Sequence, residues 1–296
     1  MILLIIASTP FFIVKADTDV ILYQLPGATH SQMMGYVIKP PNNRLIVLDG
    51  GTYGDSEQLR ELINKLGGKV DSWFITHPHF DHIEALVDIL NNPQNIVVSQ
   101  IYASLLDYEL ALKYEPTYSD NVQLFNSTIE QHSSIFTELQ KGDLFQFDGG
   151  ISLEVMRVPD STITANFINN SSCVFRVEAE NISMLFLGDL GEEGGNELLE
   201  TYGNDLRSDI VQMSHHGQDG VTREVYEAIS PEICLWPTPI WLWDNKLQNQ
   251  PAGSGPWGTL EVREWMEEMD TISIVSYKGL SEIRLTCINE IKEKFR

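Results

Sequence analysis

Thr76-His77-Pro78-His79-Phe80-Asp81-His82 is the stretch on which the reading of this chain turns. From His77 to His82, three imidazoles and one carboxylate fall within six residues. The apolar run Ser72–Ile75 before it has strand character, and Ile83–Leu90 after it has helical character. Imidazole and carboxylate are ligands that suit zinc, iron or manganese. A tight turn at a strand end can aim alternate side chains at one point. His77 and His79 are therefore expected to share one metal ion, with Asp81 and His82 displaced toward a second. The chain has only 7 histidines, so three in one turn by chance is improbable.

A turn cannot enclose a metal alone, and two later segments supply further donors. Phe186-Leu187-Gly188-Asp189 is an apolar strand ending in Gly-Asp. The two oxygens of Asp189 can bridge two cations. Taken alone, Asp189 would read as a helix cap before Glu192 and Glu193; beside the histidine cluster the ligand reading prevails. In Val211-Gln212-Met213-Ser214-His215-His216-Gly217 a strand again runs into histidines and a glycine. Adjacent histidines point in different directions, so one is expected on metal and the other facing substrate. His30 and His132 are isolated and read as a loop and a solvated helical residue.

Outward from these segments, apolar spacing predicts strands at Val20–Leu25, Met34–Ile38, Leu45–Leu48, Ile96–Ala103, Leu144–Phe147, Ser152–Val158, Cys173–Val177, Ser183–Leu187, Ile210–Met213, Ile272–Ser276 and Ser281–Thr286. Helices are predicted over Ser56–Leu66, Asn121–Gln140, Gly194–Tyr202, Arg223–Ile229 and Thr259–Met269. This mixed order implies an α/β fold with two sheets face to face and helices outside, in one domain spanning 17–296. The apolar segment Ile2–Val14 reads equally as an export signal cleaved after Ala16 or as a buried first strand. No apolar run reaches ~18 residues, so no transmembrane anchor is expected.

The formal net charge is −23, from 19 Lys+Arg and 42 Asp+Glu. So acidic a surface, without a basic cluster, repels phosphate backbones and disfavours long nucleic acid. A small molecule or a cell-envelope component is the expected substrate. Cys173, Cys234 and Cys287 are odd in number, lack metal-knuckle spacing, and read as small core or near-core residues. Four of 6 tryptophans, Trp236, Trp241, Trp243 and Trp257, fall between 236 and 258. Their faces could stack on a sugar, choline or acyl group, or cap the core beneath a long loop.

The order of these segments resembles the metallo-β-lactamase superfamily, whose His-x-His-x-Asp-His motif after a strand is followed by a strand-end Asp and a strand-end His. Here these are His77, His79, Asp81, His82, Asp189 and His215, and Asp49 in Val47-Leu48-Asp49-Gly50-Gly51 resembles the family's early Asp. The resemblance implies a four-layer αββα sandwich. Asn169-Asn170-Ser171-Ser172, Leu187-Gly188-Asp189 and Ser214-His215-His216-Gly217 look most like the hydrolase domain of the ComEC competence family. The chain departs from the wider pattern in two places. No histidine lies between His132 and His215, where many members carry a further ligand, and Asn169 or Asn170 stands there instead. A late His-Pro is replaced by Gly255-Pro256-Trp257-Gly258.

The resemblance implies a hydrolase with one or two divalent metals, zinc first with manganese or iron as alternatives, acting on an ester or phosphodiester bond. His215 then joins the metal ligands, Asp81 orients the attacking water or binds the second metal, and His216, with His30 as the second candidate, gives a proton to the leaving group. Asn169, Asn170, Trp241 and Trp257 are expected to line the substrate. The missing middle histidine motivates the alternative, a metal-binding protein without hydrolysis, either redox di-iron or degenerate.

Overall fold

The computed structural model describes residues 19–296. The segment Ile2–Val14 therefore lies outside the described residues. The first sheet holds β1 (Ile21–Gln24), β2 (Gly35–Lys39), β3 (Leu45–Asp49), β4 (Lys69–Phe74), β5 (Val97–Val98), β6 (Ile101–Ala103) and β7 (Phe136–Glu138). The second holds β8 (Leu144–Phe147), β9 (Ile151–Arg157), β10 (Val174–Ala179), β11 (Ile182–Phe186), β12 (Ile210–Gln212), β13 (Ile233–Trp236) and β14 (Ile272–Val275). A last strand, β15 (Ser281–Arg284), returns to the first sheet and pairs antiparallel with β1. The spatial orders are β15-β1-β2-β3-β4-β6-β7, with β5 beside β4, and β14-β13-β12-β11-β10-β9-β8.

The central strands of both sheets are apolar on both faces and read as nearly continuous hydrophobic runs, whereas the edge strands β7, β8 and β15 are largely exposed. In β2, Tyr36 and Ile38 enter the core between the sheets while Val37 turns outward. In β11, Met184 and Phe186 face inward and Leu185 outward. Inside, Tyr36 meets Phe186 edge-on with ring centroids 5.2 Å apart. The outer face of the first sheet is covered by α1 (Ser56–Lys65), α2 (Phe80–Asn91) and, beyond α3 (Tyr108–Tyr114), by α4 (Ser119–Gln131). That of the second is covered by α5 (Glu192–Tyr202), α6 (Arg223–Ile229) and, after the short α7 (Ile240–Trp243), α8 (Thr259–Glu268). Helix α9 (Ile288–Phe295) ends the chain. The expected αββα layering is the one observed.

Several boundaries differ from the periodicity reading. The run Ile96–Ala103 is broken into β5 and β6. The helix expected to reach Gln140 stops at Gln131, and Phe136–Glu138 instead joins β6 in parallel. Ile233–Trp236, set between Pro231 and Pro237, is a buried internal strand that the apolar pattern did not separate from the tryptophan-rich stretch. Helix α2 begins at Phe80 rather than Ile83, because His79 takes an extended conformation as its N-cap (φ −76, ψ 152). Asp81 and His82 are thus first-turn helical residues, where a carboxylate suits the helix dipole.

Strands β3 and β4 are parallel, as are β11 and β12. Their C-terminal ends deliver residues 49, 76–82, 189 and 214–217 to one edge of the sandwich. Such edges are where α/β sheets bind ligands, because the chain there leaves the ladder with its polar groups free to converge. Cys173 N donates to Thr76 O at 2.8 Å and ties the two sheets together at this edge.

Candidate metal centre

The first sheet's contribution starts at Asp49. Its fully buried carboxylate accepts from Thr76 N (2.8 Å) and Thr76 Oγ1 (2.7 Å). It also lies 2.7 Å from His82 Nδ1. A carboxylate only accepts, so the hydrogen of His82 is on Nδ1 and Nε2 faces the site. Thr76 has spent its own hydrogen on Asp49, so Oγ1, 3.1 Å from His77 Nδ1, accepts there. That leaves His77 Nε2 directed inward, 3.1 Å from His79 Nδ1.

The second sheet supplies Asp189 and a histidine pair. Gly188 takes φ +59, and a Cβ there would lie 2.9 Å from both Ser172 Oγ and Thr76 Cβ, so only glycine lets this strand end approach the first sheet so closely. Gln212 clamps the same turn: Oε1 accepts from Leu187 N and Gly188 N, both at 2.8 Å. His215 and His216 both adopt left-handed backbone, φ 49 and 56. This is strained for residues other than glycine and characteristic of functional sites. His216 Nδ1 donates to Pro237 O (2.9 Å), which aims Nε2 at Asp81 Oδ2 and Asp189 Oδ2, each 3.2 Å away. His215 Nδ1 donates to Asp219 O (2.9 Å), and its Nε2 meets Asn169 Nδ2 at 3.3 Å.

Two donor groups result. His77, His79 and Asp189 form one, and Asp81, His82 and His216 form the other; within each, the ligand atoms lie within 4.8 Å of one another and all six residues are buried. Asp189 Oδ2 stands between them, 3.8 Å from His77 Nε2 and 3.3 Å from His82 Nε2. His82 Nε2, His216 Nε2 and Asp189 Oδ1 are buried without a hydrogen-bond partner. Orphaned buried donors and acceptors are costly, and converging ones fit a divalent cation. The donor set therefore suits such an ion.

The electrostatics agree. Burial pushes the Asp189 carboxyl up, but the charges of His216 and His82 outweigh it and hold it well below the usual range. Burial pulls His82 down, but Asp189 and Asp49 raise it well above an ordinary histidine. The same contest, with Asp189 as the main partner, raises His216 to about 9. His77 is pushed well down by burial and by the nearby His82. His215 is lowered by burial.

The centre opens into a cavity of about 250 Å³ whose lining includes His79, Asp81, Glu115, Tyr118, Asn169 and His215. His77, His79, Asp81, His82 and Asp189 are thus brought together as the sequence implied. The histidine pair is reversed in position: His216 joins the donors, and His215, expected as the ligand, faces the cavity. Asn170, expected at the substrate, lies elsewhere. Its Oδ1 accepts from Gly191 N and Gly194 N, 3.0 Å each, at the start of α5. Its Nδ2 donates to Ala165 O and Glu193.

Trp241 and Trp257, expected to line the substrate, instead meet edge to face, with centroids 4.8 Å apart, and line a cavity of about 670 Å³ with His30 and Leu247 that shares no lining residue with the one at the metal centre. Trp236 is core, with Trp243 packed on it. Cys173 and Cys234 are buried, but Cys287, expected near the core, is exposed. Sequence reasoning missed Glu115 and Tyr118, which arrive from the α3–α4 insertion. The isolated helical pattern there gave no sign that its connecting turn faces the site.

Paired histidine and aspartate donors at the mouth of an αββα sandwich decide the family, and a family model described as the metallo-beta-lactamase superfamily matches residues 32–230. The chain belongs to the metallo-β-lactamase superfamily. Within the superfamily, it is 26% identical over 200 residues to ComE operon protein 3 of Bacillus subtilis (strain 168), a match covering 65% of this chain. The chain spans 25% of the length of that relative, so the expected likeness to competence proteins concerns one part of a longer protein. Among solved structures, the metallo-β-lactamase fold protein YhfI from Bacillus subtilis aligns over 90% of this chain and 100% of its own, with a TM-score of 0.54 and 10% identity. CmlA, a diiron β-hydroxylase from Streptomyces venezuelae, aligns over 92% of this chain and 55% of its own, with a TM-score of 0.53 and 12% identity. At these identities the likeness is one of fold. Among the described residues, no helix is long and apolar enough to cross a membrane.

Proposed function

We propose that this chain is a metal-dependent hydrolase that uses a metal-activated water on an ester or phosphodiester bond of a small molecule or cell-envelope component. The observation that carries the reading is the convergence of two buried donor triads on the wall of one open cavity. His77, His79 and Asp189 would hold one ion, and Asp81, His82 and His216 the other, with Asp189 between them. A divalent cation bound there supplies Lewis acidity and lowers the pKa of a coordinated water. Zinc suits the donor set best, with manganese or iron as alternatives.

The chain's own residues do the rest. Asp81 orients the attacking water, whose oxygen bonds to the acyl carbon or phosphorus as the ester oxygen departs. His215 Nε2, at the cavity wall and kept neutral by burial, accepts a proton and returns it to the leaving oxygen. Asn169 orients His215 and touches the substrate, while Asn170 positions the 169–172 turn against α5. The net charge of −23 argues against long nucleic acid.

Metal analysis of the purified protein and of a His77→Ala/His79→Ala variant, coupled to a panel of chromogenic esters and phosphodiesters, tests this. The expected result is two equivalents of metal, hydrolysis of at least one class, and loss of both in the variant. A metal-replete protein inert across the panel would sink the reading. The second reading, a redox di-iron protein, rests on the missing histidine between His132 and His215. A coloured, iron-loaded protein would favour it.

A further inference from the structure

Five histidines stand at this edge, and four have the nitrogen turned away from the centre fixed by a neighbour. Thr76 Oγ1 serves His77, Asp49 serves His82, Pro237 O serves His216 and Asp219 O serves His215. His79 differs. It turns Nδ1 toward the centre, 3.1 Å from His77 Nε2, and leaves Nε2 on the far side of the ring. That Nε2 is buried and has no hydrogen-bond partner. The group facing it, 3.5 Å away at the limit of a hydrogen bond, is Glu115 Oε1.

Glu115 is not loosely placed. Its Oε2 accepts from Ile168 N at 2.8 Å, which pins the carboxylate between the insertion and the 166–172 turn. Tyr118, one turn further on, sets its ring edge-on to the His79 imidazole with centroids 4.9 Å apart. The insertion thus grips His79 from two sides.

We propose that Glu115 is a positioning residue that fixes the tautomer of His79, holding the hydrogen on Nε2 so that Nδ1 presents its lone pair to the metal. The inference rests on the metal-site reading above. The nitrogens of one imidazole lie on opposite ring edges, so a cation shared by His77 Nε2 and His79 Nδ1 is out of reach of Glu115, and the carboxylate acts through the ring. With zinc–nitrogen bonds of about 2.0–2.1 Å, two donors on one tetrahedral ion stand about 3.3 Å apart; the 3.1 Å between His77 and His79 is close to that. Carboxylates behind ligating histidines fix ring orientation and raise ligand basicity. Here the carboxylate comes from an inserted segment rather than from the sheets that carry the ligands.

Glu115→Gln separates this role from others. The amide oxygen can still accept from Ile168 N, but the amide nitrogen now donates toward His79 Nε2 and drives the ring hydrogen to Nδ1. Zinc titration of the full chain should show one of two equivalents weakened about 10- to 100-fold. The other equivalent and the melting temperature of the metal-free protein should stay unchanged. Glu115→Ala, which offers no opposing donor, should weaken the same equivalent less. Imidazole nitrogen spectra of the zinc-loaded wild type should show His79 protonated at Nε2.

Wild-type zinc affinity in Glu115→Gln would overturn the proposal while leaving the metal centre intact. So would equal losses in the two variants, which would indicate a direct ligand, or a fall in metal-free melting temperature with loss of both equivalents, which would indicate a strut. A wild type that binds no zinc would overturn both readings together.

Discussion

Two histidine-bearing turns meet at the centre, one from each sheet, and they reach it by opposite backbone routes. The first leaves β4 in an extended conformation and enters α2 through the extended N-cap His79. Alternate residues then fall on one side, which is why His77 and His79 converge without strain. The second turn winds through three left-handed residues, His215 (φ 49), His216 (φ 56) and Gly217 (φ 79). Its adjacent rings diverge, so Nε2 of His216 meets Asp81 while Nε2 of His215 meets Asn169. A His-x-His pair after a strand therefore announces its own geometry. A His-His pair does not, because which ring turns inward depends on a backbone conformation the side chains do not encode.

Removing each member of the histidine pair in turn should have the largest effect. His216→Ala should lose the second metal equivalent and bring hydrolysis to background. His215→Ala should keep full metal stoichiometry and lower kcat about 10²- to 10⁴-fold, the range for a proton-transfer group. Equal metal loss in the two variants would erase the distinction between ligand and cavity residue.

Next in size is the strain of the second turn. A Cβ on Gly217 would lie 2.3 Å from the Trp236 ring. Gly217→Ala should cost about 2–4 kcal/mol, from the left-handed backbone and overpacking together, measured by denaturant unfolding of the metal-free protein. A comparable substitution at Pro78, in the unstrained turn, should cost far less.

The first turn is better probed through its hidden support. Asp49→Asn removes the acceptor that holds His82 and should weaken metal binding about 10- to 100-fold. Unchanged affinity would show that His82 needs no partner to aim Nε2.

The smallest effect is in pH. In the metal-free protein His216 is raised to about 9 by Asp189 and Asp81 against the pull of burial. A raised histidine stabilises the fold fully below its unfolded value, about 6.5, and that contribution fades as pH rises through about 9. Metal must displace the same proton. His82, raised well above an ordinary histidine on the same ion, must give up a proton as well, so zinc affinity should rise with pH across this window, by up to about tenfold per unit for each proton displaced, with proton release seen in calorimetry. A flat profile would mean that neither His82 nor His216 is a ligand.

Much of this site could be read from the chain because its ligands cluster beside apolar strand ends, where a short motif fixes both residue type and direction. The αββα layering was equally legible, since strands apolar on both faces demand cover on both sides. What escaped was set by tertiary context. Asn170 looked like a substrate contact but serves the start of α5, and β13 was lost among prolines and tryptophans. Glu115 is a single carboxylate in an acidic chain. Nothing local distinguishes it from the other 41 acidic residues, and only the packing of the insertion brings it to His79.

The pairing of β15 with β1 joins residues 281–284 to 21–24. A contact between the two extremes of the described chain is the slowest kind to close. During synthesis the β1 edge stays open until residue 284 emerges, although every histidine and aspartate of the centre is already out by residue 216. The donor residues thus emerge before the sheet can be sealed, and a chain cut before the last strand would expose an unpaired edge prone to self-association.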